Sequence, residues 1–402
     1  MFETSTCEPA AVRDDTRQIL KTLVGFDTTS SNSNLELIGW ISDYLAGFGV
    51  TAELVKGPAP DKANLYATLG PTDRGGVALS GHTDVVPVAG QDWRVDPWRL
   101  SEGDGRLYGR GTCDMKGFIA TALAFVPDFL SRPLRRPVHL CFSFDEEIGC
   151  RGVPHLLAAL ARRPVRPMMC IVGEPTNMKV MTGHKGKVDV VCRVRGVPAH
   201  SSLAPRGVNA INAAARVIAY LEQLAHRKAE HGPFDENYDI GHTTVHTGLV
   251  QGGTQLNIVP GHCDFEFEIR NLPSEGPDGL LDEVRRFAHE EVEPAMQALD
   301  PATGFSWEEV ARYPGLDTPH EDEVVALAQA LAGSNDTGKV AFGTEGGLFQ
   351  AAGIPTVVCG PGSIEQAHKP DEFVTLDQLR RCERFMVRLL DHLAEGSPAP
   401  GA

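Results

Sequence analysis

The sequence predicts an α/β fold: a mainly parallel sheet flanked by helices, interrupted by an inserted α+β segment. Three observations carry this. Short, almost wholly apolar runs alternate with amphipathic stretches of helical period in the first 180 residues, the mark of strands buried on both faces between helices. From about Lys185 the texture changes to strict alternation, most cleanly at 262–270, where Cys263, Phe265, Phe267 and Ile269 face one way and Asp264, Glu266, Glu268 and Arg270 the other, as in a sheet with one wet face. Finally, 402 residues exceed what one ordinary core holds. The expected division is a body built from residues 1–185 and 297–402 around an insert at 186–296.

Taken in order, Ile19, Leu20, Leu23 and Val24 define a first helix, and Ile38, Ile41, Leu45 and Phe48 one side of a second. Strands follow at 51–55, 65–69 and 77–80, the last running into Gly-His-Thr-Asp at 81–84. The loop Gly-Arg-Gly-Thr-Cys-Asp-Met-Lys-Gly at 109–117 precedes an apolar helix at 118–130. A strand at 139–144 ends in Asp145, Glu146 and Glu147, a helix follows through Val153, Leu156, Leu157 and Leu160, and a strand at 168–172 ends in Gly-Glu-Pro-Thr. The insert reads as a strand at 187–197, a helix at 209–227, strands at 242–250 and 262–270, and a helix through Leu281, Val284, Phe287 and Val292. The body resumes with a helix at 321–332, a turn opening a short helix at 340–349, a strand at 355–360, a loop carrying His368, and an amphipathic final helix before a Gly-Ser-Pro tail expected to fray.

Composition excludes several functions. With 37 basic and 53 acidic side chains the net charge is −16, which opposes nucleic-acid binding and favours cationic small molecules or metal ions. No run is long enough to cross a membrane, and the amino terminus lacks a secretory pattern, so a cytoplasmic protein is expected. Nine cysteines, an odd number without a Cys-x-x-Cys pair, argue against a disulfide framework or a thiolate zinc knot; Cys141, Cys170 and Cys359 read as small core residues.

Three apolar strands each stop at a side chain able to bind metal. With the two loops, the set is His82, Asp114, Glu147, Glu174 and His368. Each alone has a duller explanation: Asp114 as a helix cap, the acids at 145–147 as a charged helix start, His368 as plain surface. Together, two imidazoles and three carboxylates suit a pair of zinc-like ions with Asp114 as the bridge, and cobalt or manganese would suit the same donors. Asp84, two residues from His82, is placed to hold the imidazole by its other nitrogen. Of Glu146 and Glu147, one binds metal and the other faces the reacting water; the residues themselves do not say which.

These motifs, with Ala-His-Lys-Pro-Asp-Glu-Phe at 367–373, resemble the di-zinc aminoacylase and carboxypeptidase superfamily over nearly the whole chain. The likeness is strongest to its acetylornithine deacetylase branch, through 342–350 and 359–368. The resemblance implies hydrolysis of a linear amide with two zinc (or cobalt) ions, Glu146 as general base and Glu147 as a ligand. It implies that the insert is a lid and dimerisation domain making a homodimer, that His200 reaches a partner subunit's site to stabilise the oxyanion, and that Asn257 and Arg270 contact the substrate. Glu345 is the candidate partner for a substrate ammonium. Succinyl-diaminopimelate desuccinylase, a broader N-acyl-amino-acid deacylase, and a catalytically silent ligand-binding relative stand as alternatives.

Overall fold

The computed structural model describes residues 11–394; the expectations for the amino terminus and for the Gly-Ser-Pro tail lie outside the described residues. The chain forms two compact units. One comprises the chain up to Gly183, Leu316–Lys339 and the chain from Thr344; the other comprises His184–Gly315 and Val340–Gly343.

The body is organised on a nine-stranded sheet. At its centre Val138–Ser143, Val77–His82, Met169–Pro175 and Thr356–Gly360 lie side by side and parallel. Ala63–Leu69 and Ala52–Lys56 extend one side, and Val180–His184 the other, in antiparallel pairing. All six residues of Val77–His82 and of Val138–Ser143 are buried, which is why these runs carry Val, Leu, Cys and Phe without polar alternation. One face packs Leu79, Leu140 and Ile171 against Ile19, Phe118, Phe385 and Leu389 from helices; the other packs Cys141, Cys170 and Val172 against Leu156, Leu160 and Phe349.

Local details depart from expectation for identifiable reasons. The apolar run at 118–130 is two helices, Lys116–Ala124 and Val126–Ser131, because Pro127 cannot donate to the preceding turn and begins a new helix instead. Phe48 lies beyond the end of its helix, past Gly47, and is 43% exposed. A three-stranded sheet of Ser101–Gly103, Arg106–Tyr108 and Phe373–Thr375 joins distant parts of the chain; strands of three residues have no period to read.

The insert is a four-stranded antiparallel sheet in the order Thr244–Gly252, His262–Asn271, Gly186–Arg195, Gly304–Tyr313. Helices Ala210–His231 and Asp278–Phe287 bury the face carrying Val188, Val190, Cys192, Phe265, Phe267 and Ile269. Its end corrects the expected boundary of 296: Gly304–Tyr313 is a fourth strand, so the unit runs to Gly315. That strand is at the sheet edge, is partly exposed throughout most of its length and carries a bulge between Glu309 and Ala311, so its alternation is blurred.

Phe118 is fully buried, and a Cβ on Gly173 would fall 2.0 Å from its ring; the ring thus lies directly against the strand residue that precedes Glu174. Phe118→Ala is expected to lower stability by about 3–5 kcal/mol, measured by urea unfolding, with a loss below ~1 kcal/mol showing that the strand end does not depend on this contact.

Candidate metal centre

The carboxyl ends of the parallel strands and two loops converge on Asp114. Its Oδ1 lies 2.9 Å from Nε2 of His82, which ends Val77–His82, and the same nitrogen is 3.5 Å from Oε1 of Glu174 in Met169–Pro175. Its Oδ2 lies 3.3 Å from Nε2 of His368, which is 3.0 Å from Oε2 of Glu147. Triads of donor atoms within 4.8 Å of one another are His82, Asp114, Glu147 and His82, Glu146, Glu174. The shortest contacts nonetheless sort the same residues into two halves about Asp114, each with one imidazole and one further carboxylate. Asp114 does not cap the following helix; that position belongs to Met115, with no side-chain cap bond.

The electrostatics show what such a cluster needs. Burial, together with Asp114 and the neighbouring glutamates, pushes Glu174 well above the usual carboxylate range. Burial is the main cause that raises Glu146 to about 8, against the pull of His82 and with Glu147, Asp114 and Asp84 adding repulsion. Glu147 is raised to about 6 by burial and Asp114, with His368 opposing. Asp114 moves the other way: burial opposes, but hydrogen bonds from His368 and His82 hold it low. His368 is raised to about 10 by Asp114 and Glu147, and His82 rises despite its burial because Glu174, Asp114 and Asp84 surround it. Even with both rings protonated, the carboxylates outnumber them. Oε1 of Glu147 is buried without a hydrogen-bond partner. Oxygen and imidazole donors crowded together with an unused buried lone pair fit divalent cations.

Asp84 is fully buried and does hold the Nδ1 side of His82, with a second task for its carboxylate. Nδ1 of His82 is 2.9 Å from the Asp84 backbone carbonyl and 3.6 Å from its carboxylate, so the carbonyl is the nearer hold. The carboxylate instead accepts the N–H groups of Glu146 at 3.0 Å and Glu147 at 3.3 Å and the Ser30 hydroxyl at 2.7 Å, fixing the turn that carries both glutamates. That turn is also held by Asp145, whose carboxylate takes the buried Lys62 ammonium at 2.6 Å while Lys62 donates to the Ser30 carbonyl at 2.8 Å. The Cys150 thiol points at Oε1 of Glu146, 3.4 Å away. Nothing in the sequence marks Lys62, Ser30 or Cys150, because their partners are distant in the chain or depend on the turn.

Glu345 is a correction. It is fully buried, its oxygens accepting from the hydroxyls of Ser80 and, at 2.7 Å, Ser143. Ser80 and Ser143 stand on adjacent parallel strands, so Glu345 ties those strands together and does not present its carboxylate to a ligand. His200, Asn257 and Arg270 belong to the insert. His200 is exposed; its Nδ1 accepts the Ser202 N–H at 3.2 Å and lies 2.8 Å from the Ser202 hydroxyl. Asn257 is exposed. Arg270 is half-buried and paired with Glu268 at 2.9 and 3.3 Å.

The sequence profile of peptidase family M20/M25/M40 matches residues 78–392. An acetylornithine deacetylase of Myxococcus xanthus is 36% identical over 388 residues, covering 94% of this chain and 98% of the relative. One of Photorhabdus laumondii is 34% identical over 382 residues, covering 94% and 95%. Among solved structures, an M20 family metallo-carboxypeptidase from Sulfolobus solfataricus superposes with a TM-score of 0.73 at 17% identity, covering 94% of this chain and 99% of that one. A Staphylococcus aureus tripeptidase gives 0.71 at 21%, covering 94% and 98%. At such identities these two speak for the fold alone.

A divalent cation bound only by the folded state stabilises it by about 2.7 kcal/mol at one hundred times its Kd. Zinc is expected to raise the melting temperature of the chelator-treated protein. If Asp114 serves two ions, Asp114→Asn is expected to weaken two binding events and Glu174→Gln one, as read by calorimetric titration; two intact events in Asp114→Asn would show that Asp114 is not shared.

Proposed function

Starting from the fact that this chain belongs to peptidase family M20/M25/M40, we propose that it removes the acetyl group from N2-acetyl-L-ornithine, giving L-ornithine and acetate for arginine biosynthesis. The observation that carries the reading is the two-sided arrangement at Asp114, each oxygen against one imidazole that in turn meets one further carboxylate. The substrate rests on identities of 34–36% to acetylornithine deacetylases over almost the full length of both chains.

In this reading His82 and Glu174 would hold one ion and His368 and Glu147 the other, with Asp114 available to each; zinc is the first choice, with cobalt as a substitute. Such ions supply Lewis-acid polarisation of the amide carbonyl and lower the pKa of a shared water. Glu146 takes the proton of the attacking water and returns it to the departing amine. Its environment suits a group that must do both: burial raises the carboxyl, and nearby positive charge draws it back. His200 offers its Nε2–H to the developing oxyanion from a partner subunit. Arg270 receives the substrate carboxylate, exchanging Glu268 for it, and Asn257 contacts the substrate.

A homodimer through the insert follows from the role given to His200. It is supported by Thr244–Gly252, a sheet-edge strand whose Leu249 and Val250 are each 62% exposed. The cytoplasm is the compartment this reading implies, consistent with eight buried cysteines, all free, among the described residues. No helix of the described residues is long and apolar enough to cross a membrane. A succinyl substrate would need a cation for its extra carboxylate, and the body's buried cations are engaged: Lys62 by Asp145, Arg110 by Glu372, Lys116 by the Phe26 carbonyl.

Glu146→Gln is expected to bind metal as the wild type does and to lose at least ~100-fold in kcat; near wild-type turnover in metal-replete protein would take the base role from Glu146. Wild-type enzyme is expected to turn over N2-acetyl-ornithine faster than succinyl-diaminopimelate or acetylated neutral amino acids. A preference for the succinyl compound would move the assignment to a desuccinylase, and metal-loaded protein inert toward all of them would leave a ligand-binding relative.

A further inference from the structure

Asp114 and His368 both sit on irregular loops, and the carboxylate of Glu372 is bonded to the first of them and tied to the second. Glu372 is 1% exposed. Its Oε1 accepts the backbone N–H groups of Cys113 at 2.9 Å and Asp114 at 3.0 Å; its Oε2 accepts Gly111 N–H at 3.1 Å and Nη1 of Arg110 at 2.7 Å. Its own carbonyl accepts Gly109 N–H at 3.0 Å. Four donors on one side chain thus fix the course of the chain from Arg110 to Asp114.

Arg110, also 1% exposed, carries the tie to the other loop. Its Nη1 reaches the Lys369 carbonyl at 3.4 Å. Its Nη2 donates to Oε1 of Gln91 at 2.6 Å, and Nε2 of Gln91 donates to the His368 carbonyl at 2.9 Å. Just beyond Glu372, Phe373 pairs with Tyr108, the residue before Gly109. The loop bearing Asp114 and the loop bearing His368 therefore share one anchor.

We infer that Glu372, through Arg110, is a positioning residue for the metal pair: it sets where Asp114 and His368 stand relative to each other without touching metal or substrate. The inference rests on the reading of Asp114 and His368 as ligands. A buried carboxylate taking three backbone N–H groups and a guanidinium is charge-assisted at every contact. An amide in its place can accept at only one end, so its own N–H groups would face donors at the other. The NH2 end would face either the N–H groups of Cys113 and Asp114 or the Gly111 N–H together with the Arg110 guanidinium, and either mismatch would move the loop that carries Asp114.

The test is Glu372→Gln, with zinc affinity measured by chelator competition beside circular dichroism of the metal-free protein. The expected result is a native spectrum, zinc bound about 10- to 100-fold more weakly, and kcat/KM that falls at limiting zinc and recovers at saturating zinc. A folded variant with wild-type zinc affinity would overturn the inference and leave Glu372 as a stabilising ion pair only. Should Glu372→Gln fail to fold, Glu372→Asp keeps the charge beside Arg110 but is too short to span both donor sets; weakened zinc binding in it supports the inference, and unchanged binding overturns it. Wild-type protein run in parallel separates the two levels: if it binds no zinc, the metal reading fails and this inference fails with it.

Discussion

The structure depends on one carboxylate shared between two imidazoles. Asp114 stands 2.9 Å from His82 and 3.3 Å from His368, and around it Glu146, Glu147 and Glu174 are crowded enough to repel one another. Uncompensated buried carboxylates cost several kcal/mol each, so such a cluster persists only where cations or protons offset the charge and a stiff frame resists the repulsion. Much of the body can be understood as that frame.

The frame has three parts. The parallel strands are buried and mainly apolar, and they deliver His82 and Glu174 from their carboxyl ends. Below them Glu345 joins Ser80 to Ser143, fixing neighbouring strands just before the site. Beside them, side-chain carboxylates bind loops by their backbone N–H groups: Asp84 holds the Glu146–Glu147 turn, and Glu372 holds the Asp114 loop. These acids are themselves buried and each accepts several hydrogen bonds, with Arg110 adding a positive charge beside Glu372, so they fix geometry close to a centre already crowded with carboxylates.

What could be read from the letters was whatever leaves a periodic or local trace. The buried strands show as apolar runs, the insert as alternation at 262–270, and the five residues at strand ends and loops as chemistry placed where parallel strands stop. The fourth strand of the insert escaped because an exposed, bulged edge does not alternate. Glu345 was misplaced because a Glu at a turn before a helix reads the same whether it faces a ligand or two serines; its surroundings come from strands some 200 residues earlier. Asp84 was read by its spacing from His82, whereas its carboxylate answers mainly to the turn at 146–147.

The sequence by itself determined the α/β class, the presence of a distinct insert and the chemical character of the site, because hydrophobic period and donor type are properties of short stretches. Tertiary structure decided which oxygen of Asp114 faces which imidazole, that Glu345 points into the sheet, and that Glu372 and Arg110 bind the loops of Asp114 and His368 together. Those are distances between residues far apart in the chain, set by how the sheet and loops close on one another, and no local pattern records them.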